Sequence, residues 1–211
     1  VSSDGIKGHA VGAENLNMKE LLGLIRGDKD KSPVFVRIYR EKENKFLDFN
    51  LIREDIKIEI VSSKILEPKV GYVRVSDFFG DLRKDFLNAV INLKFQGAEV
   101  LVLDLRDNPG GFLNLAIYLS ELFRTSDFGY VVYTVGRDQV KEPVNFWSYG
   151  AYGFPMDRGR FKDLKLVVLT NEGSASASEI VTAYVKNYAG AKVVGKKPYG
   201  KGVVQNLTPL S

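Results

Sequence analysis

An uninterrupted apolar run, Val100-Leu101-Val102-Leu103, breaks abruptly into a polar segment with paired glycines, Asp104-Leu105-Arg106-Asp107-Asn108-Pro109-Gly110-Gly111. A run without polar alternation fits a strand buried on both faces, as in a parallel sheet covered by helices. The flanking sequence agrees. Leu82, Phe86, Leu87, Val90, Ile91 and Leu93 form a helical stripe ahead of the run, and a second helix is predicted over 113–123. Segments 71–75, 130–135 and 164–169 read as further strands, the last two buried. Strands that alternate with helices from Ile56 onward predict an α/β layered domain. The stretch 136–160 between two of these strands is longer than most connections, which makes it a candidate lid or wall of a site.

The first sixty residues follow another pattern. Apolar residues at 18, 21, 22 and 25 have helical spacing, with Gly27 as the stop signal. Runs 34–39 and 46–51 flank the polar turn Glu41-Lys42-Glu43-Asn44 and predict a hairpin. One short helix and one hairpin bury little, so this stretch is expected to be part of a small β-rich module whose opening strands lie before Val1.

Composition excludes more chemistry than it suggests. No apolar run approaches the roughly 20 residues that span a bilayer. The chain opens at Val1 without a charged and then apolar leader, as expected of a piece cut from a longer protein. It has 0 cysteines and 1 histidine, His9, which removes disulfides, thiol nucleophiles and Cys-type zinc sites and leaves little for a His-rich metal centre. Its 30 basic and 26 acidic residues are interspersed, for a net charge of +4, without the clustered basic and aromatic face of a nucleic-acid binder.

Three segments at strand ends can carry chemistry, since ligands of α/β sheets bind beyond the carboxyl ends of strands. The first is Asp104 to Gly111. Its amides near Gly110 and Gly111, at a helix start, can form an anion site or oxyanion hole, or the segment is a tight turn. In the second, Asn171-Glu172-Gly173-Ser174-Ala175-Ser176-Ala177-Ser178-Glu179, a helix cap needs one serine and three are present, so capping and a reactive hydroxyl both remain open. The third is Tyr199-Gly200-Lys201-Gly202-Val203-Val204-Gln205. If it is a strand, Lys201, Val203 and Gln205 share one face, and taken alone the lysine is a solvated charge. The combination changes the balance. A serine nucleophile needs a base, and with histidine effectively absent the best candidate is a lysine made neutral by burial beside Ser176, with Gln205 able to orient it.

Those three segments resemble the C-terminal processing peptidases, the tail-specific serine proteases of the S41 type. The family's Asp-Leu-Arg-x-Asn-Pro-Gly-Gly element matches 104–111, its Ser/Thr-Ala-Ser-Ala-Ser-Glu element matches 174–179, and its Phe/Tyr-Gly-Lys-Gly element matches 199–202. The resemblance implies an α/β, ClpP/crotonase-like layered β-α-β protease core over 61–211, preceded over 1–60 by the later part of a PDZ domain, with the front of the PDZ domain and the C-terminal end of the core missing. It implies Ser176 as nucleophile, Lys201 as general base 25 residues later, and Gln205 completing the triad. Gly110 or Gly111 with Ala177 would form the oxyanion hole, and Glu179 and Asn187 would support the site. Asn187 stands where some members carry aspartate, and Pro198 where some carry threonine.

The implied reaction is hydrolysis of peptide bonds near the C-terminus of protein substrates through an acyl-enzyme, with tails captured by the PDZ domain. No cofactor, metal or nucleic acid is expected, and a homo-oligomer is compatible with the pattern. The family's usual place is extracytoplasmic, in the bacterial periplasm or cell envelope or the chloroplast lumen. The alternative is a catalytically silent ligand- or peptide-binding relative of the same fold.

Overall fold

Asn17 starts the first helix through its side chain. Its Oδ1 accepts from the Glu20 amide while the Glu20 carboxylate accepts from the Asn17 amide, closing both ends of a capping box. The helix, α1 (Met18–Arg26), ends at Gly27, whose φ of 62° is where a side chain would be strained. Strands β1 (Pro33–Arg40) and β2 (Lys45–Ile52) follow as an antiparallel hairpin, paired from Pro33↔Ile52 to Arg40↔Lys45 around a turn closed by Asn44 at φ 45°. Arg53 fastens helix to hairpin by donating to the Leu24 and Ile25 carbonyls at the end of α1 and to Ser32 and Pro33 at the start of β1. A computed structural model describes residues 1–27, 31–54, 58–125, 130–137, 139–144 and 157–204. These fall into two units, Val1–Ile58 and Glu59–Ser211.

The second unit is built on a five-stranded sheet ordered β3-β4-β5-β8-β9. Its strands are β3 (Val61–Glu67), β4 (Val70–Val75), β5 (Val100–Asp104), β8 (Lys165–Thr170) and β9 (Lys192–Gly195). Antiparallel pairing joins β3 to β4, and all other neighbours are parallel. Helices α2 (Leu82–Phe95), α3 (Leu113–Leu122) and α4 (Ala177–Tyr188) lie in the connections between the parallel strands. Within the apolar run, Leu101 and Leu103 are fully buried and Val100 and Val102 half-buried. The core joins them to Phe78, Phe86, Phe123, Phe161 and Val168, with Phe86 and Phe123 in edge-to-face contact at 6.3 Å. No helix among the described residues is long and apolar enough to cross a membrane.

The α/β core is as the sequence implies, with β9 added to the strands read from sequence and with the following local differences. Segment 130–135 is not a buried strand. Only Tyr133–Val135 is extended, as β6, and it pairs with β7 (Lys141–Pro143) in a separate exposed ribbon because its partner lies outside the main sheet. Residues 201–204 adopt no strand pairing, so the shared face expected of Lys201 and Val203 is not imposed by a strand. Strand β3 is an edge strand whose polar Ser62, Ser63 and Lys64 hide it from a search for apolar runs. Of the lid or wall expected over 136–160, the stretch 145–156 lies outside the described residues.

Candidate active site

Strands β5 and β8 are parallel neighbours, so the segments leaving their carboxyl ends emerge side by side. Backbone bonds run from Leu105 N to Leu169 O (3.0 Å) and from Ala175 N to Asn108 O (2.9 Å). Asp107 and Asn171 close a clasp. The Asp107 amide donates to Asn171 Oδ1 at 2.8 Å, and Asn171 Nδ2 donates to Asp107 Oδ1 at 2.7 Å. Sequence reading missed this pair, although both residues stand just past a strand end, where Asx side chains tie turns.

The clasp sorts the three serines. Ser174 and Ser178 are fully buried and spend their hydroxyls on carbonyls of the neighbouring segment, Ser174 on Leu105 O (2.7 Å) and Ser178 on Asn108 O (3.0 Å). Ser176 differs. It is half-buried at the start of α4 with φ 54°, a conformation costly for a residue with a Cβ, and its hydroxyl donates to nothing among the described residues. A strained serine on a sharp strand-to-helix turn is the arrangement that lifts a hydroxyl out toward a substrate.

Opposite Ser176 stands the glycine pair. Phe78, just after β4, holds it by donating to Gly110 O (2.8 Å) and accepting from Phe112 N (2.8 Å). A Cβ on Gly110 would sit 2.8 Å from Ser176 Cβ and 2.9 Å from Ala177 N, so only glycine permits this approach. Buried Asn108 orients the turn, with Nδ2 donating to Val75 O (2.8 Å) and Oδ1 accepting from Gly110 N (2.9 Å). The Gly110 amide is therefore engaged, whereas the Gly111 and Ala177 amides have no acceptor among the described residues.

Glu179 connects this turn to the lysine segment. Its carboxylate accepts from the Ser176 amide (2.9 Å), the Gly200 amide (2.7 Å) and the Lys201 amide (2.9 Å). Ser176, Lys201, Gly111 and Ala177 border one cavity of about 460 Å³. Lys201 is exposed rather than buried as expected, because Gly200 and Gly202 stand in open space with nothing within 4 Å of where a Cβ would be. Gln205 lies outside the described residues. Asn187 is exposed near the far end of α4, about 16 Å along the axis from Ser176 at 1.5 Å per residue, and does not line the cavity. Among the described residues no group of three or more His, Asp or Glu is placed to hold a metal ion.

Beneath the glycine loop, Asp104 is fully buried and accepts from Tyr72 Oη (2.6 Å) and from Arg106 Nε (2.9 Å) and Nη2 (2.6 Å). Burial alone pushes its pKa up. The Arg106 and Tyr72 hydrogen bonds outweigh that and bring the carboxyl down to about 2. A carboxylate depressed in the folded state adds stability that is fully present above its unfolded value near 4 and is lost as pH falls through about 2. Asp104→Asn is expected to lower the melting temperature at neutral pH and to flatten the stability profile between pH 4 and pH 2 relative to wild type. Parallel acid-denaturation curves for the two proteins would refute the ion pair's contribution.

A family model described as "Peptidase family S41" matches residues 69–211. The chain is 34% identical over 203 residues to a carboxyl-terminal-processing protease of Picosynechococcus sp., covering 95% of this chain and 46% of that protein. It is 34% identical over 205 residues to the protein of the same name from Synechocystis sp., covering 95% and 45%. The chain thus spans less than half the length of these curated relatives. Among solved structures, the photosystem II D1 C-terminal processing protease aligns with a TM-score of 0.55 and 25% identity, over 84% of this chain and 47% of that one.

Proposed function

The chain belongs to peptidase family S41, and on that premise we propose that the protein hydrolyses peptide bonds near the C-terminus of protein substrates through an acyl-enzyme on Ser176. The observation that carries this reading is the sorting of the serines. Two are committed to the clasp, and the third, strained and with its hydroxyl free to donate, borders the same cavity as Lys201. In the proposed reaction Lys201 accepts the Ser176 proton, Ser176 Oγ bonds to the scissile carbonyl carbon, and collapse of the adduct expels the amine with that proton. Water, deprotonated by the same lysine, then cleaves the ester and frees Ser176.

Two features support the assignment. The Gly111 and Ala177 amides, with no acceptor among the described residues, suit the developing oxyanion, with the positive end of the α4 dipole behind Ala177. Glu179 ties the backbones of nucleophile and base, so it acts as a positioning residue. Gln205 is proposed to orient the amine. Residues 1–60 are proposed to be the later part of a PDZ domain that presents substrate tails, and the protein is proposed to work outside the cytoplasm.

The test is covalent. A biotinylated fluorophosphonate incubated with the full-length protein is expected to add its mass to the tryptic peptide containing Ser176 and to no other. Labelling confined to other serines, or no labelling of the folded protein, would sink the assignment.

A further inference from the structure

Besides the Lys201 segment with Val203 and Val204, the cavity beside Ser176 has two walls. One stands at helix starts: the exposed Phe112 and half-buried Leu113 at the start of α3 and half-buried Ile180 in the first turn of α4, both helices packed together within the unit. The other is Val132 and Tyr133, at the start of the β6–β7 ribbon, whose pairing is independent of the main sheet. These side chains are apolar or aromatic, and the polar groups of the lining are those of Ser176, Lys201 and Asn114 besides the Tyr133 hydroxyl. A cavity lined in this way favours an apolar side chain, because each buried methylene contributes about 0.8 kcal/mol while a charged group would lose its hydration without a partner.

Tyr133 is 40% exposed, and neighbouring side chains contact its ring. Its ring meets Tyr130 edge to face at 5.7 Å and 73°, and the Lys141 ammonium lies 4.4 Å from its centroid, from the partner strand of the ribbon. A backbone bond from Val144 N to Val132 O (3.0 Å) extends the ribbon's pairing to the other wall residue. From this we propose that Tyr133, in contact with Tyr130 and Lys141, is a specificity-determining residue. It limits the size of the apolar side chain carried by the substrate residue whose carbonyl Ser176 attacks. The proposal rests on the peptidase reading above and adds to it the residue that sets the size limit before the cut.

The experiment compares cleavage-site profiles of the full-length protein on a library of unfolded peptides that varies the residues flanking the cut. Tyr133→Ala is expected to raise kcat/KM for Phe relative to Ala before the cut by about 10-fold or more, the scale on which hydrophobic pockets discriminate. Tyr133→Trp is expected to move the ratio in the opposite direction, Tyr133→Phe to keep the wild-type ratio, and Lys141→Met to shift it in the same sense as Tyr133→Ala but less. A merely structural role would lower all substrates together in every variant, and that outcome overturns the proposal. So does a shift confined to the residue after the cut. A wild-type protein that Ser176-directed fluorophosphonate labels but whose preference does not depend on side-chain size sinks the specificity role alone. One that is neither labelled nor cleaves any peptide sinks the peptidase reading as well.

Discussion

Ser176→Ala and Lys201→Ala are each expected to lower kcat/KM on an unfolded tail-bearing protein by roughly 10⁴–10⁶-fold while the fold is retained, and the double variant is expected to be no worse than the poorer single one. Non-additivity is the informative part. A nucleophile and its base act as one unit, so once either is gone the other has nothing left to do. The structure adds a reason to expect retained folding. Ser176 is half-buried with a hydroxyl that donates to no described group, and Lys201 is exposed and joins the site through its backbone amide, which survives the substitution. Removing the Ser176 side chain does not remove the strain at φ 54°, since alanine keeps the Cβ. Circular dichroism and melting curves should therefore superpose on wild type within a few degrees. Residual cleavage well above background in Lys201→Ala would transfer the base role to another group, and multiplicative losses in the double variant would break the unit apart.

The sequence carries the core of this site and hides its couplings. The run 100–103 is legible as a strand because its burial erases polar alternation, and the segments after β5 and β8 are legible because they combine glycines with hydroxyls at strand ends. Which of the two glycines offers an amide is not legible. The Gly110 amide is engaged through a side chain, Asn108 Oδ1, whose direction depends on its own bond to Val75 O. Glu179 reads in sequence as a helix-start residue, and that is half its role. The other half is with amides 21 and 22 residues downstream, a pairing that only the folding of the 199–202 segment creates. The expectation of a buried lysine fails for a related reason. Flanking glycines permit close packing without enforcing it, and here they leave open space. Segment 130–135 is not legible because its apolar content is the same whether it enters a core or, as here, pairs in a ribbon with Val132 and Tyr133 at the rim of a cavity.

Gly110→Ala is expected to reduce kcat by about 10³-fold, an effect that backbone strain does not account for. At φ 102° an alanine is strained by ~1–3 kcal/mol, which shows as a lower melting temperature. The larger consequence is steric. The new methyl would stand 2.8 Å from Ser176 Cβ and from Ala175 O and 2.9 Å from Ala177 N, closer than carbon contacts allow, and all three atoms belong to the turn that presents the nucleophile and one oxyanion donor. The turn has little room to retreat, because Ser174 and Ser178 are bonded on either side of it to Leu105 O and Asn108 O. A displacement near 1 Å of a reacting group costs about 10²-fold, and a misdirected oxyanion donor roughly 10²–10³-fold, so part of each suffices for the expected loss. Gly97→Ala separates the contributions. Its φ of 90° imposes comparable strain, but nothing lies within 4 Å of its Cβ position, in the turn after α2 and away from the cavity. It should lose melting temperature to a similar degree and keep its turnover. If the two variants lose activity alike, the approach of Gly110 to Ser176 is not what restricts this position to glycine. If Gly110→Ala keeps wild-type turnover, the turn is softer than its hydrogen bonds imply.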